Sequence, residues 1–421
     1  MRSPHPKRRL AIALDGVPWQ AIDEYRRGGG FRLFNEPSRV VSPFPTMTNI
    51  GMNAMMGAKK SLGYENLYFD REEGRMRGGA MKYIQKRTDD HQERGYNCLL
   101  DYEEPMQYEF LVYVFPERIF SSDLARLIDK FRRSSAPAFY AFLKSTDGII
   151  HLGGREKLMR LLVELDAALT QLYEDYRGEL EIQVFSDHGN TLRPFTRVSM
   201  KTHLARYGFD LASRVKTSRS AIIPGFGLCS YAPIYTHSKN RREIAESLAS
   251  LEGIDFSVFL PSDDAFKNGN PEIITELVGP RGHARIHCDT EANRFRYEQL
   301  AGDPLQLDQV IAKLEVDHLI DSRGFADDSV WFEATKDHRY PDALRNIWSS
   351  VRDHVESIAD VMVSFEDGFC YGSAVFDRIV NMAATHGSAL RSTSYAFLMS
   401  THRQTASHLR ASDAAKVLRH L

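Results

Sequence analysis

An α/β sandwich built on a largely parallel sheet flanked by helices, and interrupted by an inserted α+β cap module, is the fold class this sequence predicts. Three observations carry it. Short apolar runs recur as strands and end close to acidic residues. A long stretch of helical periodicity separates two of these strands. Between residues 205 and 345 the texture changes to short β-like pieces split by polar turns, and then it reverts.

The elements follow in order. Residues 9–14 read as a short buried strand ending at Asp15-Gly16. The loop from Pro43 to Thr48 leads into a small, apolar stretch, residues 52–56, that reads as a helix. Residues 110–115 and 138–143 read as further strands. Leu158, Leu161, Leu162, Leu165, Leu169 and Leu172 share one helical stripe, which predicts an amphipathic helix over 155–176. Residues 180–185 form the next strand, which runs into Asp187-His188-Gly189. Strands alternating with helices imply a parallel sheet, and ligands of such sheets sit beyond the carboxyl ends of the strands. Asp15, Asp147 and Asp187 each follow a strand, so one sheet edge is expected to carry three carboxylates. Residues 284–287 and 294–297 belong to the inserted texture, whereas 358–365 and 395–399 return to the first pattern. The expected division is therefore a catalytic core of residues 1–204 and 346–421 with a cap of residues 205–345.

Composition narrows the class of function. Lys+Arg number 54 against Asp+Glu 56, a net charge of −2, which argues against a nucleic-acid-binding surface. The basic run Lys7-Arg8-Arg9 reads as a solvated lead-in to the first strand. Cys98, Cys229, Cys288 and Cys370 lie far apart with no CxxC pair, which fits neither a zinc finger nor a disulfide framework. Reduced thiols in the cytoplasm are the expectation. The apolar stretch at residues 10–14 is too short for a signal peptide, and no window approaches the length of a membrane span.

Chemistry concentrates in a few segments: Asp15-Gly16, Phe44-Pro45-Thr46-Met47-Thr48-Asn49, Asp147 with His151, Asp187-His188-Gly189, and Thr385-His386-Gly387. Asp147 and His151 are four apart, and a helix there puts both on one face, able to share a metal. Each segment has a plain reading as well. Asp-Gly is a common turn, and Thr48 before an apolar helix is a serviceable N-cap. Taken in order, the segments supply three carboxylates and three imidazoles, a mixture suited to zinc, with manganese the alternative.

This ordered set resembles the alkaline phosphatase superfamily, and within it the type I phosphodiesterase/nucleotide pyrophosphatase branch and the phosphonoacetate hydrolases. A looser match, Gly63 to Asp70, resembles the branch's stretch whose Asn contacts the phosphoryl group, and so implicates Asn66. The resemblance implies an alkaline-phosphatase-like sandwich and a centre of two divalent cations. Asp15, Asp187, His188 and Thr48 would hold one cation, and Asp147, His151 and His386 the other. Thr48 would be the nucleophile, passing through a phospho-threonine intermediate, and Thr46 is read as a loop residue. A small phosphorylated substrate follows, with no nucleic acid or membrane as partner; the oligomeric state is left open.

The match has departures. Asn49-Ile50-Gly51 stands where the phosphodiesterase branch has Phe-Pro-Asn, and Leu62 stands where it has His before the glycine. Phosphodiester hydrolysis is the leading expectation. The alternatives are a phosphomonoesterase, a phosphonate C–P hydrolase on the same core, or a metal-stabilised binding protein without catalysis. His283 and His287 are read as part of an exposed hairpin.

Overall fold

A computed structural model describes residues 6–65, 67–79, 95–105, 108, 115–225, 227–262, 272–372 and 383–419. Two large sheets organise them. The first has seven strands in the order His408–Arg410, Ser38–Val41, Tyr395–Ser400, Leu180–Ser186, Arg8–Leu14, Ala138–Leu143, Tyr102–Glu103. Tyr395–Ser400 runs antiparallel to both of its neighbours, and the other pairings are parallel. The α/β expectation of a largely parallel sheet therefore holds.

Register explains where the chemistry emerges. Leu14 lies opposite both Leu143 and Ser186, so three neighbouring parallel strands end level with one another. The residues that follow, Asp15, the helix start at 145–147 and Asp187, must leave the sheet at one edge. Along Arg8–Leu14 the side chains alternate by size. Leu10, Ile12 and Leu14 pack with Ile22, Leu127, Phe131, Leu158, Leu162 and Leu169, which come from the helices Trp19–Arg27, Pro116–Arg133 and Ser145–Asp175. Ala11 and Ala13 face the other way, against Met52, Met55, Ala414 and Leu418. Those residues lie on the helices Thr48–Met56 and Ala411–Arg419. Two covered faces are what a parallel sheet requires.

The basic lead-in is only partly solvated: Lys7 is exposed, whereas Arg8 and Arg9 pack inward. Arg9 is 2% exposed, pairs with Glu181 and donates to the Leu418 carbonyl. Arg8 lies 4.2 Å from the centre of the Phe131 ring. A long side chain can bury its stem when its head finds fixed partners, and the run alone did not reveal those partners. The strand read at residues 110–115 lies outside the described residues apart from Phe115, which precedes the Pro116–Arg133 helix.

The second sheet has eight strands in the order Ala326–Asp327, Arg294–Gly302, Gly282–Asp289, Glu272–Gly279, Ile254–Phe259, Val361–Phe365, Tyr231–Thr236, Ala221–Ile222. Its pairings are antiparallel. It contains the 205–345 texture, and Val361–Phe365 as well, hydrogen-bonded in its middle. The sequence reading had put that strand with the first sheet. A short run buried on both faces shows no period that tells one sheet from another. The Gly282–Asp289 and Arg294–Gly302 hairpin is not exposed as expected: His287 is 3% exposed and bridges Glu272 and Glu298. Among the described residues, no helix is long and apolar enough to cross a membrane.

Candidate metal centre and nucleophile

Local chain geometry brings the sequence-predicted residues together. Gly16 turns the chain after the first strand with φ +66°, and a Cβ there would stand 2.7 Å from Asp147 Oδ1. The strand ending at Leu143 passes directly into the Ser145–Asp175 helix, so Asp147 and His151 share a face, with Asp147 Oδ2 2.9 Å from His151 Nε2. The helix then breaks its regular geometry at Gly154. On the opposite side, Thr48–Met56 starts at the same edge. Its Gly51 abuts the Asp187 backbone, where a Cβ would meet the Asp187 carbonyl oxygen at 2.4 Å.

Six ligand-type residues fall into two adjoining groups: Asp15, Asp187 and His188 in one, and Asp147, His151 and His386 in the other. Within each group the candidate ligand atoms lie within 4.8 Å of one another. His188 and His386 stack with ring centres 4.1 Å apart, which places the groups side by side. His188 Nε2 sits 3.6 Å from Asp15 Oδ1 and 3.4 Å from Asp187 Oδ2. Thr48 Oγ1 donates to Asp15 Oδ1 at 3.2 Å and lies 3.4 Å from His188 Nε2. Asn66, the remaining predicted site residue, lies outside the described residues.

The three histidines follow one rule. Each directs Nδ1 at a backbone carbonyl: His151 at Ala384 (2.7 Å), His188 at Gly189 (3.0 Å) and His386 at Thr46 (2.9 Å). A carbonyl only accepts, so Nδ1 carries the proton and Nε2 keeps its lone pair for a ligand. Asp187 is anchored by the Gly16 N–H at 3.1 Å through Oδ1, while its buried Oδ2 has no hydrogen-bond partner.

The electrostatics point the same way. Burial, reinforced by Asp187 and Asp147, raises the Asp15 carboxyl well above the usual range. Burial pushes Asp187 up to about 7. Burial also acts to raise Asp147, but His151, His386 and His188 outweigh it and hold that carboxyl low. Burial lowers His188 to about 3 and also lowers His386, whereas Asp147 overcomes burial to raise His151. Three carboxylates converging on a buried edge are costly unless a cation meets them. An Asp187 oxygen without a hydrogen bond, Nε2 atoms of His151 and His188 turned toward carboxylates, and mixed oxygen and nitrogen donors together fit divalent cations of the zinc or manganese kind.

Thr48 is no N-cap: Met47 occupies that position without a side-chain cap bond, and the Thr48 hydroxyl faces the carboxylates. Two other features of this edge were not legible in the sequence. Thr46, read as a loop residue, is fully buried and bonded to the His386 segment. Asn346, 6% exposed, clamps the incoming loop by accepting from Phe44 N–H at 2.6 Å and donating to the Ser42 carbonyl at 3.1 Å. Isolated polar residues in unpatterned segments carry no periodic signal. The second sheet meets this edge directly, with Ser230 N–H donating to the His386 carbonyl at 2.7 Å.

No protein-family model matches the sequence, and no curated protein matches it. Solved structures do. Human ectonucleotide pyrophosphatase/phosphodiesterase 5 aligns over 98% of this chain and 93% of its own, with TM-score 0.52 and 10% identity. The inactive threonine-to-alanine variant of the murine protein, in complex with AMP, aligns over 98% and 94%, with TM-score 0.52 and 10% identity. Phosphonoacetate hydrolase from Sinorhizobium meliloti, in complex with phosphonoacetate, aligns over 98% and 95%, with TM-score 0.50 and 12% identity. Likeness spread over nearly the whole of each chain, at identities this low, is a statement about architecture: the chain has an alkaline-phosphatase-like fold, shared with these structures.

Proposed function

We propose that the chain is a metal-dependent phosphohydrolase that uses Thr48 as its nucleophile, most readily on phosphodiester or nucleotide pyrophosphate substrates. The observation that carries this reading is the placement of the Thr48 hydroxyl at the start of a helix, beside two adjoining Asp/His clusters. Asp15, Asp187, His188 and Thr48 would hold one divalent cation and Asp147, His151 and His386 the other. When bound, such cations supply positive charge that lowers a hydroxyl's pKa and offsets the charge on phosphoryl oxygens.

The residues themselves set up an in-line exchange. Asp15 accepts the Thr48 hydroxyl proton in a hydrogen bond and so orients Oγ1. Thr48 Oγ1 passes its proton to Asp15 and bonds to phosphorus as the bond to the leaving oxygen breaks, and that oxygen departs with the electron pair and is protonated from solvent. Water then cleaves the phospho-threonine, releasing phosphate or its monoester and restoring the hydroxyl. The Thr48 and Asn49 N–H groups, which open the helix ahead of its first intrahelical bonds, suit the equatorial oxygens of a phosphoryl group, and Asn66 is assigned to the same task. The structural neighbours bound to AMP and to phosphonoacetate support a small phosphorylated ligand. The inactive threonine-to-alanine neighbour supports a threonine as nucleophile.

Phosphomonoester hydrolysis and phosphonate C–P cleavage are the second reading. It is favoured by Asn49, a half-buried polar residue at the position where the phosphodiesterase branch carries the phenylalanine of its nucleotide slot. Hydrolysis of a bis-aryl phosphate against an aryl phosphate monoester and phosphonoacetate, with and without chelator, separates the readings. Zinc as resident metal and a cytoplasmic setting are part of the proposal; four cysteines scattered with no CxxC pair support a reducing compartment.

A further inference from the structure

We infer that Thr46 is a positioning residue that holds His386 in place and so sets how tightly the Asp147–His151–His386 cluster binds its cation. The inference rests on the two-metal reading above.

His386 differs from its partners in what supports it. His151 is carried by a helix and His188 is the second residue past a strand. His386 sits in irregular chain, so its position depends on individual hydrogen bonds. Thr46 supplies four of them to residues 386–388. Its hydroxyl accepts from Gly387 N–H at 2.8 Å and donates to the Ser388 carbonyl at 3.3 Å. Its carbonyl accepts from His386 Nδ1–H at 2.9 Å, and its N–H donates to the Gly387 carbonyl at 3.2 Å.

The opposite side of the same segment is fixed by the second sheet. Ser230 N–H donates to the His386 carbonyl, and Ser230 Oγ accepts from Ser388 N–H at 2.9 Å. Gly387 has φ +123°, and a Cβ there would meet the Tyr231 ring at 2.7 Å. The segment is thus gripped between Thr46 and Ser230, with His386 projecting from it.

Two of the Thr46 bonds belong to its side chain and can be removed by mutation. Losing the hydroxyl leaves the Gly387 N–H without that partner beside the ligand, a site where Thr46, Ser388 and Thr385 are all fully buried. Partners that orient metal ligands typically change metal affinity or activity by about 10–100-fold when removed. Thr46 also lies two residues before Thr48. A single residue therefore ties the loop that presents the proposed nucleophile to a ligand of the other cluster.

The test compares wild type with Thr46→Val and Thr46→Ser in the full chain. Zinc binding is measured by equilibrium dialysis in chelator-buffered zinc with elemental analysis, alongside the zinc concentration that half-activates bis-aryl phosphate hydrolysis. Thr46→Val is expected to keep one tight zinc and to bind the second about 10–100-fold more weakly. Thr46→Ser, which restores the hydroxyl, is expected to recover the second. Circular dichroism checks the fold, and Thr46→Ala takes the place of the valine variant if that chain does not fold. Two equally tight zinc ions in wild type and in the hydroxyl-free variant overturn this inference alone, as does a serine variant as weak as valine. A wild type that takes up fewer than two zinc ions overturns the two-metal reading and this inference with it.

Discussion

Replacing Thr48 with alanine is the sharpest test of the proposed chemistry. The side chain is half-buried, and its hydroxyl makes one bond to Asp15 with a second contact to His188. Its loss removes a hydrogen bond to a charged group, about 1.5–3 kcal/mol in general, discounted here because solvent can reach the site. Folding should therefore shift by roughly 1 kcal/mol, a few degrees in Tm at most for a chain this long. Metal content should hold, because Asp15, Asp187 and His188 remain. Catalysis should not: a positioned catalytic group is generally worth about 10²–10⁴-fold, or about 3–5 kcal/mol of barrier. Thr48→Ala should thus leave less than about 1% of turnover in a chain with near-normal Tm and metal content. The assay is steady-state hydrolysis of a bis-aryl phosphate beside melting curves and elemental analysis. Turnover within a few-fold of wild type, whatever the Tm, would refute the nucleophile assignment.

Other expectations follow from the same edge. Metal affinity should rise with pH through about 7, since burial holds a proton on Asp187 to about 7 and on Asp15 well above its usual range, Asp147 raises His151, and those protons must leave when a cation binds. His188, lowered to about 3, does not compete in that window; calorimetric zinc titration at pH 5.5, 6.5 and 7.5 checks this, and an affinity flat with pH counts against it. Asn346→Ala should leave Phe44 N–H and the Ser42 carbonyl unpaired, cost about 2–4 kcal/mol of stability and lower kcat. Its conservative partner Asn346→Asp, which keeps an acceptor for Phe44, should lose less in denaturant melts. Gly51→Ala should force the Thr48–Met56 helix off the Asp187 carbonyl, costing about 1–3 kcal/mol and much of the activity; a wild-type-like variant would mean the helix yields freely.

The parts of this molecule that follow a period were readable from sequence. The leucine stripe from Leu158 to Leu172 identified its helix, and the apolar runs before Asp15 and Asp187 identified two adjacent parallel strands. Asp147 and His151 were readable because helical spacing is itself geometry. What escaped has no local signature. Arg9 looked like a surface charge because Glu181, its partner, lies far along the chain. His287 looked exposed because the strands that enclose it come from both sides of its own hairpin. Thr48 was singled out by the resemblance, but nothing in the sequence marked the Thr46 hydroxyl, which faces the His386 backbone.

The position of Val361–Phe365 bears on how such a protein could be re-engineered. This strand enters the eight-stranded sheet between Tyr231–Thr236 and Ile254–Phe259, roughly a hundred residues after either. The second sheet is therefore no cassette. Excising residues 205–345 would leave an orphaned apolar strand, an edge prone to intermolecular pairing, and grafting that stretch onto a relative would deliver a sheet without its centre. Transplanting substrate preference would mean moving two pieces of chain together. During synthesis, too, the outer strands would wait for their middle partner until most of the chain had left the ribosome, so the sheet must close late.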